Sequence, residues 1–318
     1  MRRSPLEYEE QVDGTTSTSP VRSASSITRT RAGIAVIQDD ANFIALFNDD
    51  GTRKRTIPLP PGEGGQRHFD DRRGNKAYKL DLEGSVTVTT EAGEILLAFG
   101  SGSTDRRECI TLLSGLEAER HEVSLVHVPR LYEALRRATA FAGSELNVEG
   151  VIQVGERLRL FGRGNGAVRG ELKPVNASCD LDSSALLAHL RDPAGSNPPP
   201  PFDIVQYELG TLDGIPLGFT DVTTWRGAVC YSAAAEASPD SVRDGRVPGS
   251  AIGVIAATGA RWAPLTEPSG SLFAAKVEGL LPVNDGGNAF YAVVDSDNPD
   301  AQSELCTLEL RGPWSWSG

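Results

Sequence analysis

The sequence predicts an all-β fold, a β-propeller of five blades with six as the alternative. Three observations point there. A short strand ending in an acid and a glycine recurs along the chain. Each copy is followed by a turn and further short apolar strands. The copies are unevenly spaced, starting at Gly33, Gly84, Gly150, Asp221 and Gly279, or 51, 66, 71 and 58 residues apart. Repeats built only of strands mean radial or stacked repetition. Uneven spacing suits a propeller, whose loops vary while its four-stranded blades stay alike, whereas a solenoid needs a tighter period. With 34 Gly and 20 Pro in 318 residues and 39% hydrophobic residues, the composition is globular, turn-rich and unlike that of a helix bundle.

The elements follow in order. Residues 1–30 are polar and rich in Ser, Thr and Arg, and read as a flexible tail with room for a late strand. The propeller is expected over residues 31–311, and a second tail over 312–318. Gly33–Ile37, Phe43–Phe47 and Arg55–Leu59 read as strands, with a turn at Asp49-Asp50-Gly51. The repeat appears as Lys79-Leu80-Asp81-Leu82-Glu83-Gly84, as Glu145-Leu146-Asn147-Val148-Glu149-Gly150, and as Lys276-Val277-Glu278-Gly279. A weaker copy is Leu217-Gly218-Phe219-Thr220-Asp221; the first unit has only Arg31-Ala32-Gly33-Ile34 and lacks the acid. Second strands follow at Ile95–Ser103, Leu158–Asn165, Val229–Glu236 and Phe290–Asp297, and third strands at Glu108–Leu113, Ala251–Ala256 and Leu305–Leu310. Two helical insertions fill the long gaps. Leu131, Leu135 and Ala138 share one helical face just after Pro129, and Ser183–Arg191 repeats the pattern with Leu186, Leu187 and Leu190. Pro198 to Pro201 form a stiff connector. The last strand is expected to close the ring by pairing with an N-terminal strand.

Chemistry concentrates where the repeats converge. The first strand of a propeller blade lines the central channel, and residues two apart in a strand share a face. Lys79, Asp81 and Glu83 therefore point one way, as do Glu145, Asn147 and Glu149, and Lys276 with Glu278. Glu83, Glu149, Asp221 and Glu278 are expected to form an axial ring. Carboxylates driven together do not all stay ionised unaided. Either a hard cation such as Ca²⁺ binds their oxygens, or Lys79, Lys276 and nearby arginines neutralise them. Such acids can equally accept backbone N–H groups of the next blade and hold the ring in register. The second-strand exits are expected at the same face. Ser101, Ser103, Arg106, Arg163 and Asn165 would bind and orient a small ligand there, with Glu236 and Asp295 as acidic counterparts. Of the four histidines only His68, just before the Lys79 strand, is placed to overhang the axis. Residues 295–300 have alternating oxygens like a calcium loop but lack the glycine and remaining ligands of an EF-hand. There is no phosphate P-loop and no Gly-x-Ser-x-Gly elbow.

The net charge of -12 and pI near 4.9 argue against nucleic acid or an anionic membrane as partner. Two N-terminal arginines lack the apolar core of a secretory signal, and no apolar run approaches a membrane span. The four cysteines, Cys109, Cys179, Cys230 and Cys306, show no zinc spacing and read as buried reduced thiols of a cytoplasmic protein.

Four features together resemble an uncharacterised bacterial propeller family known only as a domain of unknown function. They are Asp81-Leu82-Glu83-Gly84 with Gly100–Thr104, Asn147–Gly150 with Arg163-Gly164-Asn165, Pro216–Asp221 with Ala233–Glu236, and Lys276–Leu280. The likeness spans about residues 31–311 and speaks to the fold. More distantly the Glu-Gly inner strands are similar to those of phytase-like and esterase-like propellers and of calcium-dependent apyrases. That similarity implies calcium and an ester or phosphoester substrate. The functional expectation is therefore a calcium-dependent hydrolase-like site, with Glu83, Glu149, Asp221 and Glu278 catalytic and metal-binding. A small anionic substrate would be held by Arg106 and Arg163. The alternative is a binding scaffold without catalysis. Oligomeric state is left open.

Overall fold

The computed structural model of the protein describes residues 2–12, 15–118, 120–237, 245–256, 259–295, 301–312 and 314. Five four-stranded antiparallel sheets arise from consecutive stretches of chain. Blade 1 is Ala24–Thr30, Gly33–Gln38, Phe43–Phe47 and Arg53–Pro58. Blade 2 is Leu82–Thr90, Gly93–Gly100, Cys109–Ser114 and Glu122–His127. Blade 3 is Val148–Val154, Arg157–Gly162, Asn176–Asp182 and Phe202–Tyr207. Blade 4 is Ile215–Trp225, Ala228–Ala235, Gly249–Ala256 and Gly259–Pro264, with the short strand Thr211–Leu212 at its edge. Blade 5 is Lys276–Pro282, Ala289–Asp295 and Glu304–Glu309, completed by Arg2–Pro5 from the other end of the chain. The first strands pack in cyclic order around the axis, and five is the blade number.

The ring is held by burial between blades. Five hydrophobic clusters each fill one wedge, from Leu46 and Leu96 between blades 1 and 2 round to Val36 and Val293 between blades 5 and 1. The four cysteines lie in these clusters as free buried thiols, as expected. Helix α1 (Pro129–Arg137) and the short α2 (Thr139–Ala142) cover the wedge between blades 2 and 3 with Leu131, Tyr132, Leu135 and Phe141. Helix α3 (Ser183–Arg191), capped by the Asp182 carboxylate on the Ala185 N–H, adds Leu186 and Leu190 to the same wedge. Both expected insertions are therefore present, with α2 in addition.

The N-terminal residues depart from the expected tail. Arg2–Pro5 pairs with Glu304–Glu309 and closes the ring, so the N-terminal partner sought for the last strand is this segment. Glu7–Val12 and Thr15–Pro20 form a hairpin. Ala24–Thr30 is the innermost strand of blade 1, and Gly33, taken as the first inner strand, begins the second strand. The polarity that suggested a tail has a structural cause. Ser25 donates to the Leu82 carbonyl at 2.5 Å and Ser26 bonds Ser85 at 2.8 Å, both across to blade 2. Hydroxyls buried at the axis are satisfied there, so this strand needs no apolar alternation. Of the expected C-terminal tail, Trp314 packs against the cluster between blades 4 and 5.

Candidate functional site

Every first strand carries a β-bulge near its start, where one residue has no partner on the second strand. The bulged residues are Ser25, Glu83, Glu149, Thr220 and Glu278. This shared defect sets the true register of the repeat. Glu83, Glu149 and Glu278 occupy equivalent positions, as expected. Asp221 does not: its blade places Thr220 in the ring, and Asp221 stands where the other blades have Ser26, Gly84, Gly150 and Gly279.

The bulge positions divide by chemistry. Ser25 and Thr220 donate to the next blade's carbonyl, at Leu82 and, at 2.6 Å, at Val277. Asp221 accepts the Leu280 N–H of the next blade at 2.8 Å, which is the structural role expected of inner-strand acids. The glycines allow close approach instead. A Cβ on Gly84 would lie 3.0 to 3.2 Å from the Gly150 backbone. The three glutamates neither donate nor accept in this way. They project into a charged basin at one face of the ring.

Two networks fill the basin. In the first, the buried Lys79 ammonium bonds Asp39 and lies 2.7 Å from Asp81. Arg107, only 6% exposed, lies 2.7 Å from Asp81 and donates to Ser103 Oγ, while Ser101 Oγ donates to Asp81 Oδ2 at 2.5 Å. In the second, Arg163 bridges Glu149 at 3.5 Å and Glu236 at 2.5 Å, and Lys276 bridges Glu278 at 2.5 Å and Glu236 at 3.6 Å. Asn147 donates to Glu149 Oε1 at 2.6 Å and reaches Asn165 at 3.4 Å. Asp295 is the register partner of Lys276. Beside the first network Asp40 pairs with Arg22, which also holds Asp70.

These contacts drive neighbouring carboxyls apart. Burial works to raise Asp81, but Lys79 and Arg107, with the Ser101 bond, prevail and hold it below its ordinary value. Glu83, two residues on, is pushed well above its ordinary value by burial, then by Asp81, Glu149 and Asp39. It makes no hydrogen bond among the described residues. Burial raises Glu149 against the pull of Arg163 and Lys276. Glu278 is raised to about 8 by burial and by Glu149, over the opposing Lys276, and its Oε2 is buried without a partner. Asp40 is raised to about 7 by burial and Asp39.

The structure thus gathers Glu83, Glu149, Glu278, Lys79, Lys276, Ser101, Ser103, Arg163, Asn165, Glu236 and Asp295 at one face. It leaves out three expected residues: Asp221, whose carboxylate accepts the next blade's Leu280 N–H, and Arg106 and His68. Arg106 is exposed and lies over the Tyr78 ring at 4.5 Å, because the turn before Cys109 aims Arg107 inward instead. His68 packs its ring 5.4 Å from Phe43, which belongs to the core of blades 5 and 1. Asp39 was missed because its strand was read as an inner one; as the second-strand exit of blade 1 it is equivalent to Ser101 and Arg163. Residues 296–300 of the calcium-loop-like stretch lie outside the described residues.

A groove of about 970 Å³ runs outward from Arg163 and Glu236 between blades 3 and 4. Among the described residues no helix is long and apolar enough to cross a membrane.

Such a ring of five blades around a charged axial basin defines the class. The chain belongs to the family of unknown function DUF6929, whose pattern matches residues 20–310 and so includes the inner strand at Ala24. No curated protein matches the sequence. Among solved structures the chain is similar to an exo-1,5-alpha-L-arabinanase from a bovine ruminal metagenomic library, with 11% identity over 92% of this chain and 93% of that one and a TM-score of 0.43. It is similar to a GH43_1 enzyme from Xanthomonas citri, with 9% identity over 74% of this chain and 71% of that one and a TM-score of 0.39. A third is apo AztD from Citrobacter koseri, with 12% identity over 97% of this chain and 70% of that one and a TM-score of 0.30. None of these likenesses assigns chemistry to the basin.

Proposed function

We propose that the axial basin hydrolyses a small ester, with Glu83 as general acid and Glu149 as general base. The observation that carries this reading is the contrast between Glu83, pushed well above its ordinary value by burial and by Asp81, Glu149 and Asp39, and Glu149, whose rise is opposed by Arg163 and Lys276 and which accepts a hydrogen bond from Asn147. Environments that push neighbouring carboxyls apart define acid and base assignments. Water oxygen adds to the ester carbon and gives a proton to Glu149. The bond from that carbon to the leaving oxygen breaks, and the leaving oxygen takes the Glu83 proton. Ser101, Ser103 and Asn165 are the neutral groups placed to orient the substrate. Replacing Glu83 by Gln keeps the shape and removes the proton. Loss of turnover of ethyl esters in Glu83→Gln supports the reading, and an unchanged rate contradicts it. A wild-type protein that binds such esters without turnover favours the scaffold instead.

A second reading places a divalent cation, calcium by the oxygen donors, at the same basin with a small anionic phosphoester. Charge favours it: within the two ion-pair networks and the adjoining Glu83, six carboxyls (Asp39, Asp81, Glu83, Glu149, Glu236, Glu278) face four cations (Lys79, Arg107, Arg163, Lys276), before Asp295 is counted. Two protons or one divalent ion would balance the excess. Oxygens of Asp39, Asp81 and Glu83 lie within 4.8 Å of one another. Lys79 already bonds two of the three, which leaves the donor set short of the six to eight oxygens calcium takes. Protonation therefore fits better. Calcium that raises the melting temperature in wild type but not in Glu83→Gln or Glu149→Gln would support the ion, and no shift with any divalent cation would end it.

A further inference from the structure

We propose that the groove between blades 3 and 4 is an acyl-binding site, which takes the uncharged hydrocarbon chain of an ester whose carbonyl lies at the axial basin. The inference rests on the ester-hydrolysing reading of that basin. Four observations lead to it.

The groove and the basin share residues, since Arg163 and Glu236 close the groove's inner end. A molecule lying in the groove therefore presents one end to the charged network. Its size, about 970 Å³ and open along one side, accommodates a medium-length chain.

Its walls carry apolar side chains among polar ones such as Lys173, Gln206 and Glu208. Val175, Ile215 and Leu217 line it, with Val168 61% exposed on the rim.

Its width is set in advance. Asn176 Oδ1 accepts the Gly164 N–H at 2.8 Å and the Phe219 N–H at 3.2 Å, and its Nδ2 donates to the Leu217 carbonyl at 2.9 Å. One side chain thus ties blade 3 to blade 4 under the groove. Gly218 supports the same arrangement, since a Cβ there would lie 2.8 Å from Arg163 Cγ. A preformed groove costs little ordering when a ligand enters.

The paired charges at its inner end disfavour an anion there, although the exposed Lys173 also lines the groove. Arg163 is shared between Glu149 and Glu236, and Lys276 between Glu278 and Glu236. An anionic ligand would have to displace a carboxylate from each cation, whereas an uncharged ester displaces none.

The test uses undecan-2-one, an uncharged ketone that is not hydrolysed, titrated calorimetrically into the full chain. It should bind wild type and Glu83→Gln alike. Val168→Asp, on an exposed rim, should weaken binding at least about tenfold. Val205→Asp, at a 48% exposed position of the same blade outside the groove, should leave it unchanged. In a pH-stat, wild type should prefer ethyl decanoate to ethyl acetate by at least about tenfold in kcat/KM, and Val168→Asp should abolish that preference while sparing acetate. Absence of ketone binding, equal binding by Val168→Asp, or a preference for ethyl acetate would overturn the groove assignment. Ketone binding with the expected Val168 dependence but no turnover of either ester would uphold the groove and overturn the hydrolytic reading instead.

Discussion

Replacing Glu278 by Gln separates its titration from its packing. The carboxyl is buried on the axis, with Oε1 2.5 Å from Lys276 and Oε2 without a partner. Its value rises from 4.5 to about 8. A carboxyl raised in the folded state keeps its proton there while the unfolded chain has already lost it. Its contribution is therefore complete below pH 4.5 and is lost as pH climbs toward 8. At about 1.4 kcal/mol per pH unit, that loss is at most about 5 kcal/mol. Asp40, raised to about 7, acts with the same sign, so the wild type should lose stability steadily from pH 5 to pH 8. Glutamine keeps the shape and cannot ionise, and Lys276 retains Glu236 at 3.6 Å. Urea unfolding at pH 5, 6, 7 and 8 measures the effect. The variant should match wild type near pH 5 and exceed it near pH 8, with a shallower dependence between. An identical pH dependence in both proteins, or a wild type that gains stability toward pH 8, would refute the reasoning.

Three further outcomes follow from the same geometry. Arg107→Ala should cost about 3 kcal/mol in thermal or chemical unfolding, because it strips a buried partner from Asp81, whereas Arg106→Ala should stay within about 0.5 kcal/mol. Gly84→Ala should destabilise by about 1–3 kcal/mol, since its methyl meets the Gly150 backbone at 3.0 Å and backbone cannot move aside cheaply. Thr220→Val should cost about 1–3 kcal/mol by leaving the buried Val277 carbonyl without its donor, and Thr220→Ser should restore most of the loss.

Much of the fold was legible because the blades repeat the same physics. Glu-Gly at residues 83–84, 149–150 and 278–279 marks the same bulge three times, and short apolar strands bounded by turns follow each. Two blades hid the pattern. Blade 1 uses Ser25-Ser26 and blade 4 uses Thr220-Asp221 at the bulge, because hydroxyls and a carboxylate there bond the next blade where the others rely on close glycine contact. Composition therefore read the inner strand of blade 1 as a tail, and the weak fourth copy slipped by one residue. That slip put Asp221 in the ring, and the blade 1 error concealed Asp39. The choice between Arg106 and Arg107 rests on one turn of 3₁₀ helix, whose facing no pattern in the sequence reveals. The groove was only partly visible, since its walls come from two blades and its clamp, Asn176, begins an otherwise ordinary strand.

The central claim is that Glu83 supplies a proton to a leaving oxygen. The most direct measurement is the pH dependence of ethyl ester hydrolysis by wild type and Glu83→Gln. The wild-type rate should fall as pH rises through the raised Glu83 value, where the acid loses its proton. Glu83→Gln should be slower by at least about 100-fold at the optimum and should lack that alkaline limb. A variant that retains wild-type rates and the same alkaline limb would contradict the account.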